Sequence, residues 1–285
     1  MHNSEIIRLI QIALNEDIRT GDVTAESVFP EIGAWSQGVF IAKQYGILCG
    51  LSVARMVFQI ISDNRITWTP QMQDGDIVEP GMILAKLDGE ARDLLSGERT
   101  ALNFMQRMSG VATKTAEYVH AIEGTGAKIL DTRKTIPGWR ELDKYAVRTG
   151  GGNNHRMGLY DMAMIKDNHI AAAGGIREAI RFCKEYIPKD IPIEVEADSL
   201  QDVIEILECG NVQRILFDNF TIEQTKAAVA LVNGSVETES SGNITLHTIR
   251  DYALTGVDYI SVGAITHSAP ALDISLDIHL PNNHL

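Results

Sequence analysis

From about residue 125 onward, short apolar runs alternate with amphipathic helical stretches, and this alternation limits the fold more than any other feature of the chain. The runs are AKILD (127–131), AMIK (163–166), IEVEA (193–197), RILFD (214–218), VETES (236–240) and YISVG (259–263). Between most of them lie segments with helical periodicity, among them GIREAIRFCKEYI, LQDVIEILECG, IEQTKAAVALVNG and LHTIRDYALTG. Apolar strands joined through helices form a parallel sheet with the helices outside. A barrel is the expected closure, and an incomplete one, because only about six strands are readable by this pattern.

Residues 1–95 have a different texture, mixed α and β. IIRLIQIALNED places Ile6, Leu9, Ile10, Ala13 and Leu14 on one stripe, which predicts a first helix. WSQGVFIAKQYGILCGL alternates between glycines, and DGDIVEPGMILAKLDG sets Asp-Gly and Pro-Gly between β-branched runs. Both predict antiparallel strands with tight turns. A long helix is expected from Ser96 as its N-cap, with Leu102, Met105, Met108 and Ala112 on the buried face. That start puts Arg99 in the first turn, at the unfavourable end of the helix dipole. Arg99 is then either an ordinary solvated side chain or the ligand of a bound anion.

Charge decides which partners are excluded. A net charge of −13 and a pI near 5.0 argue against nucleic acid or an anionic membrane as a bulk partner, since both need a broad basic face. Within this acidic chain, Arg133, Lys134, Arg140, Lys144, Arg148, Arg156 and Lys166 form one basic stretch, with His155 and His169 beside it. The helical spacing of WRELDKYAVRTG assigns Arg140, Lys144 and Arg148 to a solvated outer face. Arg133, Lys134, His155, Arg156 and Lys166 instead lie at strand ends or in the glycine-rich TGGGNNHR (149–156), and are expected to bind an anion. Cys49, Cys183 and Cys209 lack metal-ligand spacing, and no run of 18 apolar residues or cleavable leader is present, so a soluble protein of the reducing cytoplasm is expected.

Polar residues gather where the runs end. Thr132, Arg133 and Lys134 follow the first, Lys166 closes the second, Glu194 and Glu196 lie in the third, and Asp218 with Asn219 closes the fourth. In a parallel barrel these ends converge on one mouth, where active sites are built. The late segments ESSGN (239–243) and VGA (262–264) are expected to cradle a phosphate through backbone N–H groups. Glu196 and Asp218 stand opposite the cations and suit a divalent metal, ribose hydroxyls or a developing cation.

GERTALNFMQRMSGVAT (97–113), DTRKTIPGWRELDKYAVRTGGGNNHRMGLYDMAMIKDNHI (131–170), IEVEADSL (193–200), LFDN (216–219) and SVGAITHSAPALDISLDI (261–278) together resemble quinolinate phosphoribosyltransferase. EDIRTGDVT (16–24) matches that family's N-terminal signature, so the likeness covers nearly the whole chain. The resemblance implies an α/β protein: an N-terminal α/β sandwich domain over 1–112, joined by the segment 270–285, and a C-terminal open (β/α) barrel over 113–269. It implies transfer of the phosphoribosyl group of phosphoribosyl pyrophosphate to quinolinate with decarboxylation, with magnesium as cofactor, in a homodimer or larger assembly with shared sites. The quinolinate carboxylates would be held by Thr132, Arg133, His155, Arg156 and Lys166, with Arg99 supplied by a partner subunit. Lys134, Glu196 and Asp218 are the implied catalytic groups, handling phosphoribosyl pyrophosphate and its magnesium. Ser241, Gly242, Asn243, Gly263 and His267 would surround the 5-phosphate. Many members carry two successive glycines where this chain has Gly242-Asn243. The motif register selects Glu196 over Glu194, and only one of the two is expected to point inward.

Two other readings compete. A related type II phosphoribosyltransferase acting on a different acid would share Arg133 and the barrel, but a monocarboxylate would not need Arg99, Arg133, His155, Arg156 and Lys166 together. A non-catalytic phosphometabolite sensor would not want Glu196 and Asp218 beside a polyphosphate.

Overall fold

The computed structural model describes residues 3–30 and 33–279, and these divide into two compact units. The first takes in the described residues up to 114, residues 137–150 and the segment from 269; the second takes in 115–136 and 151–268.

The first unit opens with helix α1 (Asn3–Ile18), which buries Ile6, Ile10 and Leu14 and half-buries Leu9 and Ala13, the predicted stripe. A short helix α2 (Val23–Val28) comes next, its first turn capped by Asp22. Strand β1 (Trp35–Ala42) alternates buried and open positions and lies in an antiparallel sheet. A ribbon of β2 (Gly46–Ile47) and β4 (Ile77–Val78) brackets helix α3 (Leu51–Ile61) and strand β3 (Thr67–Pro70). With β5 (Ile83–Glu90) and β12 (Ile274–His279) the main sheet has the order β12-β1-β5-β3. Phe58 of α3 meets Phe40 of β1 and Trp68 of β3 at centroid distances of 6.1 and 6.3 Å, so the helix covers one face of that sheet. Asp74 caps α3 from outside the helix, its Oδ1 accepting the Gly50 and Leu51 N–H groups at 3.0 Å each.

Helix α4 (Ala91–Ala121) begins five residues before the expected Ser96 cap. Asp88-Gly89, read from the sequence as a turn, lies inside β5 opposite Gln37 and Ser36, and the strand runs straight into the helix. Ser96 is therefore interior, its hydroxyl donating to Asp22 Oδ2 at 2.9 Å, and Arg99 sits in the third turn, out of reach of the helix-end field. Leu102, Met105, Met108 and Ala112 form the buried face as predicted. The Gly75 and Gly81 turns also form, both with positive φ.

Helix α5 (Arg140–Thr149) falls in the first unit, although the sequence pattern leaves it in the barrel half. Trp139 stacks on Phe104 at 4.8 Å, Arg107 Nη2 reaches Asp143 Oδ1 at 3.3 Å, and Tyr145 donates its hydroxyl to Asp74 Oδ2 at 2.9 Å. Lys144, assigned to a solvated face by spacing alone, is fully buried beside Leu142, Ala146 and Val147, because α5 has neighbours on more sides than a two-faced helix presents.

The second unit is a six-stranded parallel sheet: β6 (Lys128–Leu130), β7 (Ala163–Ile165), β8 (Ile193–Ala197), β9 (Arg214–Asp218), β10 (Glu237–Ser241) and β11 (Tyr259–Ser261). Helices α6 (Asp167–Ala173), α7 (Ile176–Tyr186), α8 (Leu200–Cys209), α9 (Ile222–Val232), α10 (Ile249–Ala253) and α11 (Ala264–His267) connect or follow the strands. The order β6-β11-β10-β9-β8-β7 leaves β6 and β7 at the two ends, the open barrel expected. Apolar residues fill the helix-facing side of the sheet, including Ile165, Val195, Ile215, Phe217 and Ile260. Among the described residues no helix is long and apolar enough to cross a membrane.

Candidate active site

Residues two apart on a strand share a face, so the pairing register sorts the polar residues of the second unit. Glu194 pairs with Met164 and Arg214, Glu196 with Leu216, and Asp218 with Ser241. All of these belong to the inner set. Twelve residues of the unit line one cavity of about 210 Å³: Thr132, Arg133, Lys134, His155, Arg156, Met164, Lys166, Leu216, Asp218, Glu239, Ser241 and Ser261. The expectation that only one of Glu194 and Glu196 points inward is thereby corrected. Both do, at different depths: Glu194 reaches the buried ring of His155, and Glu196 pairs with Lys166 at the rim.

The glycine-rich loop is anchored by the residues on the C-terminal side of its glycines. Gly151 takes the left-handed turn (φ 87), and Asn153 then pairs with β6 as an isolated parallel bridge to Leu130. The buried Asp131 accepts the His155 N–H at 2.8 Å and the Asn154 side-chain amide at 2.6 Å. Arg156 Nη1 donates to the Met162 carbonyl at 3.0 Å. Burial and the neighbouring charge of Arg133 both lower the pKa of Arg156, as expected where cations are crowded.

Below the cations lies a buried charged cluster. His155 Nε2 is 3.0 Å from Glu194 Oε2 and 3.4 Å from Glu239 Oε2, and Glu239 also accepts from Arg214 Nη1 at 3.0 Å. The Arg156 backbone N–H points at His155 Nδ1 at 2.7 Å, so a neutral ring carries its proton on Nε2, toward the carboxylates. With a neutral ring, two carboxylates and Arg214 leave a net charge of −1. A further proton bound within the cluster lowers this negative charge, a change that burial favours. Burial opposes charge on His155, yet its hydrogen bonds to Glu194 and Glu239 and their charges outweigh burial and raise it to about 9. Burial and the charge of Glu239 raise Glu194, whereas Glu239, despite its burial, is held below the usual range by His155 and Arg214. His155 thus borders the cavity while directing Nε2 into its floor.

The other sequence-derived residues fall around the same mouth. Lys166 forms the N-cap of α6, where its N–H donates to His169 Nδ1 at 3.0 Å. Thr132 Oγ1 accepts the Lys134 N–H at 3.0 Å, and the Lys134 carbonyl accepts from Thr266 at 2.8 Å. A Cβ on Gly263 would lie 3.0 Å from Lys134 Cδ and 3.2 Å from His267 Cδ2, so these three residues are immediate neighbours. Gly242 and Asn243 do not line the cavity; they lie against Asn219. Glu196, Asp198 and Asp218 offer carboxylate oxygens within 4.8 Å of one another, an all-oxygen set suited to a hard divalent cation. Arg99 belongs to the first unit, with a side chain 63% exposed and 3.8 Å from Glu98.

Four buried residues have no side-chain role assigned from the sequence: Glu194, set aside there for Glu196, Glu239, which opens the ESSGN segment, Arg214 and Asp131. The first three are findable in it, since each is two or four positions from a selected residue on the same strand. Asp131 is not, because its role depends on a loop more than twenty positions away.

Comparison with known proteins agrees with this architecture. Residues 22–109 match the family model for the quinolinate phosphoribosyl transferase N-terminal domain, and residues 111–277 match that for the C-terminal domain. A probable nicotinate-nucleotide pyrophosphorylase [carboxylating] of Bacillus subtilis is 42% identical over 282 residues, covering 99% of this chain and 96% of that protein. Quinolinate phosphoribosyltransferase [decarboxylating] 2, mitochondrial, of Nicotiana glauca is 43% identical, covering 96% of this chain and 82% of that protein. The crystal structure of NadC from Streptococcus pyogenes superposes with a TM-score of 0.94 at 38% identity over 99% of both chains. The chain belongs to the quinolinate phosphoribosyltransferase family.

Proposed function

We propose that this chain transfers the phosphoribosyl group of phosphoribosyl pyrophosphate to the ring nitrogen of quinolinate, releasing pyrophosphate and carbon dioxide and leaving nicotinate mononucleotide for de novo NAD synthesis. The observation that carries the reading is the cavity itself, where Arg133, Lys134, Arg156 and Lys166 line a space of about 210 Å³ with Asp218 on its wall. That charge density fits a dianionic acid meeting a polyphosphate.

Arg133, Arg156 and Lys166, with Thr132, hold the two quinolinate carboxylates; the planar arginine forks match them in paired hydrogen bonds. His155 contributes through its position above Glu194 and Glu239, which keep its proton on the floor side. As the bond from the anomeric carbon to pyrophosphate breaks, the ribose gains oxocarbenium character, which Asp218 and Glu196 stabilise electrostatically. Lys134 offsets charge on the departing pyrophosphate. The pyridine nitrogen bonds to the anomeric carbon, the carboxylate on the adjacent carbon leaves as carbon dioxide, and the electron pair left on that carbon, stabilised by the pyridinium, takes a proton from solvent. Ser241, Gly242, Asn243, Gly263 and His267 receive the 5-phosphate.

Magnesium fits the carboxylate set of Glu196, Asp198 and Asp218, which would hold it together with the pyrophosphate. A cation held there would offset charge on the leaving group. A homodimer in which Arg99 enters the partner's cavity is proposed on the exposure of that arginine. A reducing, cytoplasmic setting is proposed on the three free cysteines.

The test is an assay of purified protein with quinolinate, phosphoribosyl pyrophosphate and magnesium, scoring nicotinate mononucleotide and carbon dioxide, with nicotinate in parallel. Product from quinolinate alone is expected. Turnover of nicotinate instead, or of neither acid by folded protein, would overturn the reading.

A further inference from the structure

Between β9 and β10 the register ends with Asp218 opposite Ser241, and the chain leaves each strand through a residue with an unusual backbone. Asn219 (φ 54) follows Asp218, and Gly242 (φ 96) and Asn243 (φ 51) follow Ser241. Asparagine tolerates this left-handed region better than most residues with a side chain, so the pair is a conformational choice before it is a chemical one.

The side chains then interlock. Asn219 Nδ2 donates to Asp218 Oδ2 at 2.6 Å, Asn219 Oδ1 accepts from Asn243 Nδ2 at 3.2 Å, and the Asn219 backbone N–H donates to the Ser241 carbonyl at 2.9 Å. A carboxylate only accepts, so the amide nitrogen of Asn219 must face Asp218 and its oxygen must face Asn243. Gly242 is what lets the loops approach: a Cβ there would lie 2.2 Å from Asn219 Oδ1 and 2.9 Å from its backbone nitrogen.

We propose that Asn219 is a positioning residue that fixes Asp218 and the Gly242-Asn243 loop as one rigid piece, so that the carboxylate beside the ribose and the loop receiving the 5-phosphate keep a set spacing. The proposal rests on the function assigned above to those two elements. It also gives Asn243 a task where many family members carry a second glycine: its side chain supplies the tie to Asn219.

Asn219→Gly permits the same positive φ and removes the side chain with its amide, and Asn243→Gly removes the tie from the loop side. Affinity for phosphoribosyl pyrophosphate with magnesium is measured by calorimetry, which needs no turnover, alongside kcat and both KM values. Asn219→Gly is expected to weaken that affinity ~10-fold and lower kcat by a similar factor, with the KM for quinolinate within about twofold of the parent. Asn243→Gly should weaken the affinity several-fold with a smaller fall in kcat, and the double variant should be no worse than Asn219→Gly alone. Unchanged affinity and kcat in Asn219→Gly overturn the proposal. So does an equal loss for both substrates with a lowered melting temperature, which marks a merely structural role. If the parent protein binds no phosphoribosyl pyrophosphate, the functional reading and this inference fall together; if it binds but makes no nucleotide, only the functional reading falls and the calorimetry still decides the inference.

Discussion

Individual charges in this cavity derive their meaning from what lies beneath them. His155 is raised to about 9 from an ordinary 6.5, so the folded chain holds a proton that the unfolded chain has released by neutral pH. A raised histidine pKa contributes stability that is complete below about 6.5 and is lost as pH climbs through 9. The melting temperature is therefore expected to fall across that window. In Glu194→Gln the fall should shrink, because one of the two carboxylates holding the proton is gone; an undiminished slope would show that other groups set it. At the cavity wall, Arg156→Ala should lower kcat/KM for quinolinate by ~10- to 100-fold, the range for a lost charge-assisted hydrogen bond, with little change in melting temperature. These cations are legible as residues, since strand ends and the glycine loop mark them. Their buried counter-charges Glu194 and Glu239 are legible only as positions, two residues from Glu196 and Ser241 on the same strand face; the partner that gives them a role, His155, comes from a loop that no strand register predicts.

Elements show where local pattern stops informing. Periodicity locates the buried faces of α1 and α4, which depend only on residues three and four apart. It misplaces the start of α4, because nothing local in DGEARDLL distinguishes a turn at Asp88-Gly89 from a strand that continues into a helix; pairing with Ser36 and Gln37 decides it. It also misreads α5, whose burial comes from residues remote in sequence. Gly110 of α4 is a sharper case: a Cβ there would lie 1.9 Å from the Pro270 carbonyl oxygen, a contact with backbone that no rotamer relieves. Gly110→Ala is expected to destabilise the chain by about 3 kcal/mol, read as a lower denaturant midpoint. A midpoint equal to the parent's would mean that the segment 269–271 yields freely.

At the scale of the whole molecule, the proposed dimer has a direct test. Arg99→Ala and Lys134→Ala should each be inactive alone. If Arg99 completes a partner's site, mixing the two after reversible dissociation should restore about a quarter of the parent activity, since half of the dimers are mixed and each mixed dimer has one intact site. No recovery from a mixture shown to exchange subunits would place Arg99 in its own chain's site or in none.

The closing of the first unit also sets an order of events during synthesis. Strand β12 pairs along β1 from Gln37 to Ala42, yet its residues come after every strand and helix of the second unit in the chain. While the second unit emerges from the ribosome and gains all its parts, β1 must wait with one edge, which carries its own apolar Phe40 and Ala42, unpaired. An open edge of that kind invites pairing with another nascent chain. The unit made first is the last that can be sealed, so crowding of ribosomes on one message is expected to lower this protein's yield through strand β12, one of the last elements to be made.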